Sequence, residues 1–392
     1  MTTQHPEDSA QSAVTLRAAL RSLPPYKPGK SAAASDVVQY KLSSNENPYP
    51  PLPSVLDAVN QVSPEMNLYP DMTCQAVTQA VAQRWGVEPS SVSFGSGSVE
   101  VASQIIRAVC EEGDEVVFAW RSFEAYPILA GLAGATAVKV PLDENERHDL
   151  PAMAAAITER TKVVLVCTPN NPTGTSVGTD ELHEFMAQVP SNVLVVVDEA
   201  YVHFNVDPDA ARGIDFFRQY PNVVVLHTFS KAYGLAGLRI GYAIAPAHVS
   251  AALRAVAIPF GVTNLAQQAA LASLAAESEI EERITALVEQ RDHVHSRLTE
   301  QGWDVPESQA NFVWLRTGAK TQDAEEVFSR HGVIVRAFGD EGIRVSIGSP
   351  AGNQAFLVAA QEVLDLVRGT SSTAGAAGAQ GTPAASDTRN GG

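Results

Sequence analysis

The stretch Val223-Val224-Val225-Leu226-His227-Thr228-Phe229-Ser230-Lys231-Ala232-Tyr233-Gly234-Leu235-Ala236-Gly237-Leu238-Arg239 runs from an apolar segment of strand length into one lysine set between a hydroxyl and an arginine. A lysine at a strand's C-terminal end, near a permanent cation, sits in a cationic and partly desolvated setting that lowers its effective pKa. An amine of low pKa is what a Schiff base to a cofactor aldehyde requires. Lys231 is therefore the leading candidate for a covalent cofactor anchor. Ser-Lys-x-x-Gly alone fits a loop lysine beside turn glycines equally well, so the rest of the chain has to decide.

Two further apolar runs end in polar groups. Residues 163–167 lead into Thr168-Pro169-Asn170-Asn171-Pro172-Thr173-Gly174, and residues 193–197 lead into Asp198-Glu199-Ala200-Tyr201. In open α/β sheets ligands bind beyond the carboxyl ends of parallel strands, and all three runs put their chemistry there. From Ser54 onward, helical stretches (55–61, 74–85, 99–108, 150–157, 179–187) alternate with seven short β-rich runs (92–94, 115–119, 136–140, 163–167, 193–197, 223–226, 240–244). Such alternation predicts an α/β fold whose large domain is a mostly parallel seven-stranded sheet covered by helices on both faces. A long helical region over 264–300 then leaves the sheet. Strands over 310–315, 333–336 and 342–347 and a closing helix over 353–367 predict a smaller α+β domain.

The expected divisions are a disordered N-terminus over 1–12, an arm and part of the smaller domain over 13–48, and the large domain over 49–262. The small domain follows over 263–368, and a Gly/Ala/Ser/Thr-rich tail over 369–392 cannot offset its ordering entropy by burial. Within the first segments, residues 16–23 are helical in pattern and Pro24-Pro25-Tyr26-Lys27-Pro28-Gly29 is extended.

At 392 residues and 45% hydrophobic, the chain is long enough for a large core. A formal net charge of -17 repels phosphate backbones and anionic membranes, which argues against nucleic-acid binding. Cys74, Cys110 and Cys167 are few, odd in number and not in metal-ligand spacing, which points to a reducing cytoplasm. The histidines likewise show no metal spacing, so no metal site is expected. The first fourteen residues do not read as a signal peptide, and no apolar segment approaches the ~20 residues that span a bilayer.

The motifs Asn45-Glu46-Asn47-Pro48, Tyr69-Pro70-Asp71, Gly95-Ser96-Gly97-Ser98, Asn171-Pro172-Thr173-Gly174, Asp198-Glu199-Ala200-Tyr201 and Ser230-Lys231-Ala232-Tyr233-Gly234 follow one another in order. In this the chain resembles the fold-type I pyridoxal-phosphate aminotransferases, in the branch of the histidinol-phosphate and aromatic amino acid enzymes, over about residues 16–368. The resemblance implies pyridoxal 5'-phosphate as cofactor, with Lys231 as anchor and general acid/base. Asp198 would face the pyridine nitrogen, and Asn171 and Tyr201 the ring 3-oxygen. Gly97, Ser98, Ser230 and Arg239 would hold the phosphate, with the amides at a helix N-terminus facing it. Phe123 or Tyr126 would stack on the ring. Tyr69 would reach the phosphate of a second copy, making a homodimer with shared sites.

For the substrate's anion, the resemblance implies Arg344 as a bidentate receiver, with Arg336 as a second cation that a phosphate would use more than a carboxylate. Asn45 and Tyr26 would close the pocket. The segments Trp120-Arg121-Ser122-Phe123-Glu124-Ala125-Tyr126-Pro127 and Ser308-Gln309-Ala310-Asn311-Phe312-Val313-Trp314-Leu315 are more similar to actinobacterial aromatic amino acid aminotransferases. Asn45-Glu46-Asn47-Pro48 is at home among histidinol-phosphate aminotransferases. The expected substrates are amino acids and 2-oxo acids, with 2-oxoglutarate and glutamate as partner pair. Two other classes fare worse: an effector domain of a transcription regulator would need a fused DNA-binding module, which the residues before Leu16 are too few to be expected to form, and a dinucleotide-binding protein would need a Gly-x-Gly-x-x-Gly that does not open the first βα unit.

Overall fold

The structure, a computed structural model, describes residues 39–369 and, before them, Arg17, Leu20, Leu23, Pro25, Tyr26 and Gly29. The disorder expected of 1–12 and of the tail beyond Gly369 lies outside the described residues, as does most of the helix expected over 16–23.

In chain order the strands are β1 (Tyr40–Lys41), β2 (Val92–Gly95), β3 (Glu115–Trp120), β4 (Thr136–Pro141), β5 (Thr161–Cys167), β6 (Leu194–Asp198), β7 (Val223–Thr228), β8 (Gly241–Ile244), β9 (Phe312–Arg316), β10 (Val333–Ile334), β11 (Arg336–Phe338) and β12 (Gly342–Ser346). Strands β2 to β8 are the seven β-rich runs of the sequence. They form one sheet of order β2-β8-β7-β6-β5-β3-β4, in which only β8 runs against its neighbours. Side chains alternate between faces with a period of two, so a sheet covered on both sides needs apolar residues at every position. On β5, Val164 and Val166 enter one apolar cluster while Val163, Leu165 and Cys167 enter the other.

Helices cover both faces, and three of them carry no clear sequence signal: Ala125–Ala133, Gly213–Gln219 and Ala247–Val256. The first holds Pro127 and Gly131 within nine residues. Pro127 is tolerated because amides of the first turn have no intrahelical acceptor. Gly134, at φ 86°, ends the helix in the left-handed conformation.

The second sheet is antiparallel, in the order β11-β12-β9. Three expectations are corrected in detail here. The strand over 333–336 divides, β10 pairing in parallel with β1 and β11 with β12. The strand over 310–315 starts at Phe312. The helical region over 264–300 is two helices, Asn264–Ala275 and Glu277–Gln301, parted where Ala276 adopts φ -102°, ψ 32°. Among the described residues no helix is long and apolar enough to cross a membrane.

Candidate active site

The chain passes outward from β3 to β4 and then returns to the other side of β3 as β5, so the strand order reverses between β3 and β5. A reversal of this kind leaves a crevice at the carboxyl ends of the strands. A cavity of about 190 Å3 lies there, lined by Tyr26, Ser98, Phe123, Asn171, Asp198, Tyr201, Ser230, Lys231 and Arg239, with Val99, Cys167, Ala200, Thr228 and Ala236 between them. A roomier groove of about 540 Å3 beside residues 144–147 and 304–309 gathers none of the expected side chains. Volume therefore does not pick out the site; converging polar groups do.

Asp198 is the last residue of β6. Its Oδ2 accepts from the Tyr126 hydroxyl at 2.6 Å and its Oδ1 from the amide of Ala200 at 3.2 Å. Burial pushes its pKa up to about 6, against the pull of these two hydrogen bonds. Glu199, one residue on, faces away. Its Oε2 lies 3.2 Å from Nε2 of buried His227, and its Oε1 accepts from the amide of Gly213 at 2.6 Å. Of the two adjacent acids only Asp198 lines the cavity.

Lys231 Nζ donates to the carbonyls of Asn45 and Ser44 at 3.2 and 3.4 Å and stands 5.7 Å from the centre of the Tyr201 ring. Desolvation lowers its pKa to about 7; the charges of Arg344 and Arg239 act the same way, and Glu46 opposes them. An amine so placed is substantially uncharged at neutral pH.

A third corner is built for close approach. Gly97 precedes the helix Ser98–Val109 at φ 88°, ψ 161°, and a Cβ there would run into the Arg239 guanidinium. A Cβ on Gly241 of β8 would likewise collide with the amide nitrogen of Ser98. Arg239 is held by the carbonyls of Ala236 (2.9 Å) and Ser96 (3.4 Å). Helix amides, Ser98, Ser230 and a guanidinium thus converge, a donor set suited to an anion.

Arg344, buried on β12, donates from Nη1 to Oδ1 of Asn171 at 2.6 Å and from Nη2 to the Ser43 carbonyl at 2.8 Å. Its Nε is buried without a partner. The guanidinium carbon lies 5.5 Å from the Phe312 ring and 5.6 Å from that of Phe338. Asn45, fully enclosed at φ 53°, donates to the Tyr201 hydroxyl at 3.0 Å and exchanges hydrogen bonds with Ser346. It holds Tyr201 rather than lining the cavity.

Two expected residues lie elsewhere. Tyr69 is 83% exposed and packs on Phe260, ring centres 4.6 Å apart, rather than on the cavity of its own chain. Arg336 is not a free second cation: its Nη2 donates to Oε2 of Glu124 at 2.6 Å. Of Phe123 and Tyr126, Phe123 lines the cavity, whereas Tyr126 lies edge-on to it at 5.5 Å with its hydroxyl committed to Asp198. Sequence reading missed Ser43, Ser346 and the Tyr126–Asp198 bond, whose partners are remote in the chain.

The family model described as "Aminotransferase class I and II" matches residues 37–359. The aromatic amino acid aminotransferases of Streptomyces avermitilis and Cutibacterium acnes are 56% and 54% identical over 342 and 348 residues, covering 87% and 89% of this chain and 95% and 98% of their own lengths. Among solved structures, the histidinol-phosphate aminotransferase from Sinorhizobium meliloti in complex with pyridoxal-5'-phosphate is similar with a TM-score of 0.81 at 28% identity, covering 92% of this chain and 99% of that one. With the matched region running from before β1 to beyond β12, and two relatives more than half identical along almost their whole lengths, this chain belongs to the class I and II aminotransferases.

Proposed function

We propose that this aminotransferase uses pyridoxal 5'-phosphate, anchored at Lys231, to move an amino group between aromatic amino acids and 2-oxo acids, with 2-oxoglutarate and glutamate as the partner pair. The observation that carries the reading is the convergence, in one 190 Å3 cavity, of an amine with a pKa near 7 and a buried carboxylate held by a tyrosine. The residues fit the cofactor: Gly97, lacking a Cβ, lets the Arg239 guanidinium come up against the start of the helix Ser98–Val109, and the donors gathered there are all of the right sign for a phosphate. When bound, pyridoxal phosphate supplies an aldehyde that condenses with amines and a ring that withdraws electrons from the substrate Cα.

The chain's own residues do the rest. Asp198, whose carboxylate accepts from the Tyr126 hydroxyl and the Ala200 amide, would hold a proton on the ring nitrogen of the bound cofactor. Asn171 and Tyr201 would donate to the ring oxygen, and Phe123 would cover the ring's flat face. Lys231 would carry the proton to and from the substrate carbon, a task suited to a pKa near the working pH. Arg344, whose Nε lacks a partner, receives the substrate carboxylate beside the rings of Phe312 and Phe338. The names of the 54–56% identical relatives support the aromatic choice.

The working unit is a homodimer in which Tyr69 completes the phosphate corner of the second copy. Its support is an exposed apolar group in which Tyr69 packs on Phe260, with Met72 and Ile258 on the same groove as Phe260, of the kind that marks association. Three buried free thiols support a cytoplasmic setting.

Half-transamination of the cofactor-loaded protein with phenylalanine, tyrosine, histidinol phosphate and glutamate tests the reading. Phenylalanine or tyrosine is expected to give the highest kcat/KM among the ring-bearing substrates. Histidinol phosphate preferred by tenfold or more, about 1.4 kcal/mol of transition-state binding, would replace it with the histidinol-phosphate assignment that the Sinorhizobium meliloti neighbour carries.

A further inference from the structure

We propose that Glu124 is a specificity-determining residue: by holding Arg336 in an ion pair it leaves one uncompensated cation, Arg344, beside the cavity-lining Asn171, and so selects a carboxylate over a phosphate. The inference rests on the reading of Arg344 as the receiver of the substrate anion.

Arg336 and Arg344 are directly opposed in the antiparallel register of β11 and β12, so their side chains leave the same face of the small sheet. Both guanidinium carbons lie against one ring, 5.3 and 5.6 Å from the centre of Phe338. Two such cations side by side would match a phosphate monoester, which carries about 1.5 to 2 negative charges at neutral pH. The match is cancelled from across the cleft. Glu124 follows Phe123 in the segment leaving β3, and its Oε2 meets Arg336 Nη2 at 2.6 Å, with the two side chains only 28% and 12% exposed. Its charge also reaches Arg344, acting there against that of Arg336.

Of the other charges among the described residues, Arg121 and Glu341 pair with each other, Nε to Oε2 at 2.7 Å, and add nothing net, and Lys231 is the amine already assigned to the cofactor. Arg344, Arg336 and Glu124 together therefore carry one positive charge, equal and opposite to a carboxylate. A phosphate would arrive with excess negative charge beside a carboxylate already in place. Like-charge opposition of this kind is a common device for rejecting the wrong partner.

The test compares two unreactive ligands with the same ring and spacer and different anions, 3-phenylpropanoate and 2-phenylethylphosphonate, by calorimetric Kd on the cofactor-loaded protein. The parent should prefer the carboxylate. In Glu124→Gln the ratio of the two Kd values should move at least tenfold toward the phosphonate, and adding Arg336→Ala should abolish that movement. An unchanged ratio, including equal weakening of both ligands by general damage, overturns the proposal, as does a shift that survives Arg336→Ala. Failure of the parent to bind either ligand would overturn the aromatic reading and this inference together. Normal binding with no shift in the ratio would overturn this inference alone.

Discussion

The hydroxyl of Tyr126 donates a 2.6 Å hydrogen bond to Oδ2 of Asp198, so the carboxylate delivered by β6 is steered by a side chain from the helix Ala125–Ala133 on the neighbouring face of the sheet. A charge-assisted bond of this length offsets part of the cost of keeping an anion buried.

Tyr126→Phe removes that donor while keeping the ring. Asp198 already titrates near 6 because burial outweighs its hydrogen bonds. With one bond fewer its pKa rises further, and the carboxylate is ionised only above the new value. The acid limb of kcat/KM should move to higher pH, with about a tenfold loss at pH 6, the size expected for a hydrogen bond to a charged group, and a smaller loss at pH 8. A pH profile that keeps its acid limb in place would remove Tyr126 from this role.

Lys231 should reveal its depressed pKa through the stability of the cofactor-free protein. The folded state binds this proton less tightly than the unfolded chain, whose lysine titrates near ~10.4, so the cost is fully present below about 7 and fades as pH rises toward the ordinary value. Lys231→Met should therefore raise Tm more at pH 6 than at pH 10. Equal shifts at both would contradict a buried, neutralised amine. In the loaded enzyme Lys231→Ala should lower turnover by orders of magnitude, read in single-turnover assays.

Gly97→Ala places a Cβ against the Arg239 guanidinium at a backbone conformation, φ 88° and ψ 161°, that is almost confined to glycine. A loss of about 1–3 kcal/mol in stability is expected from the backbone alone. Cofactor affinity should fall as well, because Arg239 must move. Urea titration and cofactor Kd measured side by side check both parts.

Mixing inactive Tyr69→Ala chains with inactive Lys231→Ala chains should restore one site's worth of activity per mixed dimer, half that of the parent dimer, since one of its two cavities then has both residues intact. Mass spectrometry would verify the exchange. Verified exchange with no recovery would mean that Tyr69 serves no neighbouring site.

Much of the fold and part of the site was legible because the signals are local. Residues 163–167, 194–197 and 223–226 are apolar at every position, as strands buried on both faces must be, and Asn171, Asp198 and Lys231 follow them by a few residues. Helix Ala125–Ala133 escaped notice because proline and glycine mask its propensity, although its burial on the sheet more than compensates. The break at Ala276 was equally silent, since alanine favours helix and only packing bends the chain there.

By itself the sequence determined which residue types stand at the strand ends, and with them the α/β architecture and the identity of Lys231, Asp198, Asn171 and Arg239 as candidates. Only the tertiary structure decided their partners. Asn45 meets Ser346 across 301 residues, Arg336 meets Glu124 across 212, and Tyr126 meets Asp198 across 72. Strand periodicity acts over two residues and is written in the chain, whereas a hydrogen bond or ion pair between distant segments depends on how whole sheets and helices pack. Whether Arg336 is a free cation or a neutralised one is therefore a property of the folded molecule, and no local pattern encodes it.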